Sequence, residues 1–208
     1  MRADPEPEEE GGRWGRRSGN RGLKIAIVLA LLIVPPIALA AILYFDGRTM
    51  GLDLVRQVTE RKFPSVKRIS TGELATWLSD STRSQPLLLD ARTGPEYEVS
   101  HLSGARRIDP IRPLLRHMEA FARDTPIVVY CSVGYRSARV ARWLGRQGFT
   151  NVRQLEGSLF AWANEHRPMV SETGPAKEVH AYNEFWGRLL EPEVRSEAPP
   201  VTDPYSLP

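Results

Sequence analysis

Cysteine occurs once in the 208 residues, at Cys131. One thiol cannot close a disulfide within the chain, and a cysteine-rich metal site is excluded with it. The four histidines, His101, His117, His166 and His180, lack the spacing of metal ligands, so no metal is implied. Charge of either sign is not in large excess: the net value is +3, although arginine far outnumbers lysine. That bias reads as base composition. A basic stripe interleaved with aromatics is missing too, so nucleic acid is not an expected partner. Internal repeats are absent. The length suits one domain of ordinary size with appendages.

The chain does carry one long apolar run. Residues 1–24 are polar, passing from the acidic Glu6, Glu8, Glu9 and Glu10 to the basic Arg13, Arg16, Arg17, Arg21 and Lys24. They bury too little surface to fold and are expected to be disordered. From Ile25 to Phe45 there is no charge at all. About 20 apolar residues suffice for a helix to cross a bilayer, so 25–45 is expected to be a single transmembrane helix. Pro35 and Pro36 fall mid-span, where a membrane helix tolerates them with a kink. A cleaved signal peptide is the rival reading, because Ala38-Leu39-Ala40 resembles a cleavage site. The run continues past that site to Phe45, which favours an uncleaved anchor. Basic residues before the span outweigh Arg48, Arg56, Arg61 and Lys62 after it. The positive-inside rule then gives a single-pass protein with a cytoplasmic N-terminus and its folded domain outside the cytoplasm.

Residues 46–66 read as a juxtamembrane linker, with a helix an open possibility over Asp46–Phe63 and Pro64 ending it. From there to about residue 170, strand and helix signals alternate. Thr71–Ser79 has helical spacing behind a Ser70 or Thr71 cap. Leu87–Asp90 is a short apolar strand ending in an acid, and Pro126–Tyr130 is apolar and β-branched, as befits a strand buried on both faces. Helical spacing returns over 110–122, 137–147 and 158–165, with a further strand over 151–155. Strands separated by helices predict an α/β fold: a mostly parallel central sheet flanked by helices on both faces. Residues 67–170 form this domain. In 171–208, Tyr182, Phe185, Trp186, Leu189 and Leu190 have helical spacing. They predict a docked C-terminal helix or arm, the alternative being a partner-binding or membrane-lying segment. A proline-rich, disordered tail follows from Glu191.

The chemistry is concentrated in PIVVYCSVGYRSARVARWL. An apolar strand runs into Cys131, then a loop of Ser132, Val133, Gly134, Tyr135 and Arg136, then a helix. A residue at the C-terminal end of a parallel strand sits where α/β sheets bind ligands. If the loop curls round the sulfur, its amides form an anion nest. The helix N-terminus adds partial positive charge, and Arg136 adds a full one. All three favour thiolate over thiol, so Cys131 reads as a nucleophile needing no histidine base. The plain alternative is an ordinary buried cysteine. The glycine, the arginine and the helix beside it count against that.

These residues resemble the single-domain rhodanese family. Leu89-Asp90-Ala91-Arg92 is similar to its first motif; Glu96-Tyr97 followed by His101-Leu102-Ser103-Gly104-Ala105 is similar to the next, with Ser100 replacing a glycine. Gly148-Phe149 to Val152, Leu155 to Gly157 and Ala161-Trp162 resemble the C-terminal signature, with Ser158 replacing the second glycine of a Gly-Gly pair. The resemblance implies a rhodanese-like sulfurtransferase with Cys131 as catalytic persulfide carrier. Ser132, Val133, Gly134, Tyr135 and Arg136 become the substrate-binding cradle. Arg92 either meets an anionic donor or pairs with Asp90 or Glu96 to brace the fold. His101 pins its own turn, and Trp162 is core. The implied partners are a small sulfur donor such as thiosulfate and a thiol or cyanide acceptor, with no organic cofactor. Phosphatase-like relatives place five residues between cysteine and arginine, whereas four stand here, a ring that suits one sulfur atom better than a tetrahedral oxyanion. The alternative within the same fold is a docking or sulfur-relay module serving a dedicated protein acceptor.

Overall fold

The computed structural model describes residues 19–108, 118 and 120–201. The chain divides into two compact units, Met1–Phe45 and Asp46–Pro208. Helix α1 spans Gly19–Lys62 and contains both Pro35 and Pro36. In the first unit, Gly22–Leu39 is long and apolar enough to cross a membrane, and none of it is buried. The helix begins at Gly19, so residues 19–24, expected to be disordered, belong to it instead. The remainder of that N-terminal prediction, 1–18, lies outside the described residues.

The second unit is built on five parallel strands in the order β1-β5-β4-β2-β3: β1 Lys67–Ile69, β2 Leu87–Asp90, β3 Arg106–Arg107, β4 Ile127–Tyr130 and β5 Val152–Leu155. Alternation along the strands splits the core in two. Leu88, Val128 and Tyr130 face one apolar cluster, and Leu89, Ile127 and Val129 face the other. Helices α2 (Thr71–Ser79) and α5 (Ser158–Asn164) cover the first face. Helix α4 (Tyr135–Arg146) covers the second with Ala138, Val140, Ala141 and Leu144. Helix α3 (Gly94–Val99) follows β2. At the head of α2, Ser70 accepts from the Glu73 amide at 3.2 Å while Glu73 accepts from the Ser70 amide at 2.9 Å, a reciprocal cap. The α/β class and the helices on both faces are as the sequence predicts; the main sheet is wholly parallel.

Two segments differ from expectation. The span 46–66 has the helix that the sequence allowed, to Lys62, but it is more than a linker: Phe63 and Val66 are buried in the α4 face, while Leu52 and Val55 pack on the opposite cluster. Apolar side chains recurring on its inner face dock it against the sheet layers. The C-terminal arm, in turn, is not one helix. It forms a hairpin of β6 (Met169–Ser171) and β7 (Gly174–Ala176), then β8 (Val179–His180) and a four-residue α6 (Glu184–Gly187). The stretch from Glu191, expected to be disordered, forms a 3-10 turn over Pro192–Val194 and a strand β9 (Arg195–Ser196) parallel to β8. Burial of Val194 in the core explains why it is ordered. Of the helix predicted over 110–122, Met118 is helical and buried, and most of the rest lies outside the described residues, as do 202–208.

Phe63 tests whether residues 46–66 belong to the domain. Its side chain is 1% exposed, and truncating a buried phenylalanine typically costs about 3–5 kcal/mol. Phe63→Ala should therefore lower the thermal midpoint of the full-length protein by many degrees, whereas a mere tether would tolerate the change.

Candidate functional site

Strand β4 is central and buried, and Cys131 stands immediately after it. Gly134 adopts φ 113°, which lets the chain double back so that α4 begins at Tyr135, two residues earlier than the sequence suggests. The curl brings the Gly134 N–H to the sulfur, donating to Cys131 Sγ at 3.1 Å. A side chain at position 134 would be strained at that φ, and its Cβ would stand 2.9 Å from Gln154 Nε2.

Helix α5 holds the loop from below. The Cys131 N–H donates to Ser158 Oγ at 3.2 Å, and Ser158 Oγ donates to the Leu155 carbonyl at 3.1 Å. The carbonyls of Cys131 and Ser132 accept from the amides of Leu159 and Phe160, each at 3.0 Å. Ser158 keeps a left-handed backbone, φ 52°, where glycine is the easier residue. Its hydroxyl explains what a serine does there: it satisfies the buried amide of Cys131.

The loop's other side is tied to α3. Ser132 Oγ donates to Glu96 Oε1 at 2.6 Å. Arg136 grips the same carboxylate with both terminal nitrogens, at 2.8 and 2.6 Å, and reaches Ser132 Oγ at 3.0 Å. Glu96 further accepts from the Thr93 amide and hydroxyl, capping α3. Glu96 is wholly buried. Burial alone would raise its pKa, but the hydrogen bonds and charge of Arg136, the charge of Arg92 and the Ser132 hydroxyl outweigh it, lowering it to about 2. Arg136 thus arrives at the loop as half of an ion pair and not as a free cation.

The remaining predicted residues divide. Val133 turns into the core. Tyr135 lies edge-on to Phe63, ring centroids 5.5 Å apart, with Lys62 5.0 Å from its ring, so its side chain braces the loop from outside. Arg92, for which donor contact and bracing were both open, is turned inward. It is 0% exposed, its Nε and Nη2 clasp Asp90, and Nη2 also donates to the Ser100 carbonyl. Of the two readings left open, the geometry favours bracing: the guanidinium is enclosed and turned onto Asp90 and the Ser100 carbonyl. His101 stacks on Tyr97 at 3.8 Å and bonds the Tyr97 carbonyl through Nδ1, which fixes its own turn. Sequence reasoning missed Glu96 and Ser158 as site residues. The Thr93-x-x-Glu96 cap was a legible signal for the first; the serine in a glycine position was the signal for the second. Among the described residues no group of three His, Cys, Asp or Glu could hold a metal ion.

The arrangement is a buried cysteine sulfur at a strand end, an amide donating to it, and hydrogen-bonded supports on both sides. A family model described as "Rhodanese-like domain" matches residues 70–165. A "Sulfurtransferase" from Allochromatium vinosum is 30% identical over 109 residues, covering 52% of this chain and 99% of the relative. The chain belongs to the rhodanese-like family. A "Probable adenylyltransferase/sulfurtransferase MoeZ" from Mycobacterium tuberculosis is 34% identical over 103 residues, 48% of this chain but 25% of that protein's length. This rhodanese-like chain therefore spans about a quarter of that curated relative. The crystal structure of a rhodanese-like domain protein from Staphylococcus aureus is 28% identical with a TM-score of 0.42, covering 47% of this chain and 91% of that one. The family and the sulfurtransferase-named relatives support a role in sulfur transfer or sulfur relay.

The Glu96 network has a pH signature. A carboxyl whose folded pKa lies near 2, against an ordinary value of 4.5, adds stability that is present above about pH 4.5 and is lost as pH falls through about 2. The contribution is about 3 kcal/mol at neutral pH. Thermal melts of the native rhodanese-like protein should fall through this window, and Glu96→Gln should flatten the fall while lowering stability at pH 7.

Proposed function

We propose that this protein is a membrane-anchored sulfurtransferase that moves sulfane sulfur through a persulfide on Cys131. The observation that carries the reading is the Gly134 N–H directed at Sγ, in a loop clamped on one side by α5 and on the other by Glu96. A donated hydrogen bond stabilises a sulfur bearing negative charge. The four-residue spacing to Arg136 makes a compact ring.

In the first half-reaction the Cys131 thiolate attacks the outer sulfur of a donor such as thiosulfate. The new S–S bond forms as the donor's S–S bond breaks, and sulfite leaves with the electron pair. In the second, an acceptor thiolate or cyanide attacks the outer sulfur of the persulfide and the Cys131 thiolate leaves. Two half-reactions of this kind give ping-pong kinetics. The chemistry consumes no cofactor. Gly134 stabilises the sulfur in both resting and departing forms, Ser132, Tyr135 and Arg136 hold the loop in shape, and Val133 anchors it in the core. The anchor is read as uncleaved with the catalytic domain outside the cytoplasm, on the length of the apolar run and the basic residues that precede it. The relay reading differs in one respect: the persulfide would be handed to a single protein acceptor with little turnover on small molecules.

Two experiments test this. Thiosulfate treatment should add about 32 Da, one sulfur, to the Cys131 peptide, and Cys131→Ser should abolish thiosulfate:cyanide turnover while leaving the melting temperature nearly unchanged. Turnover that survives in this variant would remove Cys131 from the mechanism; a persulfide that forms without cyanide turnover would favour the relay. For the anchor, full-length protein should remain in the membrane fraction after carbonate washing. Recovery of only soluble protein with an N-terminus near Ala41 would identify a cleaved signal.

A further inference from the structure

The family match ends at residue 165, yet the chain beyond it reaches the cysteine loop. Val179, Leu190 and Val194 are buried in the core of the α5 face. Asn164 of α5 donates to the Leu189 carbonyl at 2.8 Å and accepts from the Glu191 amide at 2.9 Å, which fixes the arm to the helix that holds Cys131. Strand β8 packs against α3, the helix carrying Glu96.

After β8 the chain turns at Tyr182, whose backbone is left-handed, φ 65°. A bulky residue rarely adopts that conformation, and it persists only where surrounding structure enforces it. Here the enforcement is explicit. The Tyr182 N–H donates to His180 Nδ1 at 2.8 Å, and the Tyr182 carbonyl accepts from the Val201 amide at 2.9 Å. With Nδ1 accepting, His180 carries its proton on Nε2, which donates to the Pro199 carbonyl at 2.9 Å. The effect is to lay the Tyr182 ring over Arg136, with the guanidinium carbon 5.1 Å from the ring centroid. Arg136 is bonded to Ser132, the residue next to Cys131. Cys131 itself is 1% exposed, and a rigidly held aromatic ring lies against Arg136, five residues along the same loop.

We propose that Tyr182 is a specificity-determining residue of the sulfur-transfer site: its ring walls the approach beside Arg136, admitting compact sulfur donors and acceptors and excluding those with bulk next to the reacting sulfur. This rests on the sulfurtransferase reading, but its test does not depend on it. The full-length protein has one thiol, so alkylation reports on Cys131 alone. Tyr182→Gly removes the ring at a position whose φ glycine accepts, which preserves the fold; Tyr182→Phe keeps the ring. Rates of Cys131 alkylation by iodoacetamide and by N-(1-pyrenyl)maleimide are compared, together with kcat/KM for thiosulfate and for benzenethiosulfonate. In Tyr182→Gly, both bulky-to-compact ratios should rise at least about tenfold, in the range that pocket sterics deliver. In Tyr182→Phe both should stay at the native value. Unchanged ratios in the glycine variant, or equal acceleration of both alkylating reagents, would overturn the proposal, the latter because a loosened fold does not select by size. If neither donor is turned over by the native protein, the function reading fails, and the alkylation ratio still decides the wall.

Discussion

The carboxylate of Glu96 sits where three pieces of chain converge, and each piece donates to it. Thr93 supplies the cap of α3, Ser132 comes from the cysteine loop, and Arg136 from the first turn of α4. A charge removed from water is tolerated only when its lone pairs are filled and a countercharge stands beside it. That condition imposes order outward. The loop cannot open on the Ser132 side, nor α4 shift its first turn, without stripping a partner from a buried anion, and losing one partner of such a pair costs about 3–5 kcal/mol. The position of the Gly134 amide opposite the sulfur follows from this restraint as much as from its own backbone.

The opposing restraint comes from α5 and is of another kind. It has no net charge and holds the loop by its backbone: two loop carbonyls taken by the amides of Leu159 and Phe160, and the amide of Cys131 taken by the Ser158 hydroxyl. Because α5 also buries Leu159, Phe160 and Ala163 in the core, the sulfur's support is continuous with the packing of one whole sheet face. The cysteine therefore lies between an electrostatic anchor toward α3 and a hydrogen-bonded one toward α5. Both are in place at the C-terminal end of the central strand, where a parallel sheet leaves room for a ligand.

Much of this architecture was legible in the sequence where local signals and tertiary demands agree. The apolar run into Cys131 reads as a buried strand because it is one, and of the two caps the sequence offered for α2, Ser70 and Thr71, the first is used. Legibility fails where a side chain's partner lies far along the chain. Nothing local distinguishes an Arg92 that faces a donor from one that clasps Asp90, since both carry the same motif. In 46–66, the inward Leu52 and Val55 alternate with outward Met50, Leu54 and Val58, so the helix is apolar on both sides and its docking face does not show. In the arm, Tyr182, Phe185, Trp186, Leu189 and Leu190 imitate a helical stripe. The stripe is cut because Tyr182 adopts a conformation that its side chain does not advertise and that Val201 and His180 impose. Ser158 belongs with these: its strained backbone makes sense only beside the Cys131 amide.

That Cys131 has no companion thiol within the chain sets the stoichiometry of the proposed cycle. In proteins with a neighbouring resolving cysteine, a persulfide collapses to an internal disulfide, expels hydrosulfide and leaves the protein oxidised. This chain has no such exit. Under the proposed cycle each molecule would hold one transferable sulfur atom on its cysteine, and that atom would stay in place until an external nucleophile attacked it. The lifetime of the loaded form would then be set by the concentration and reactivity of the acceptor, as in a single-slot reservoir whose discharge is timed from outside.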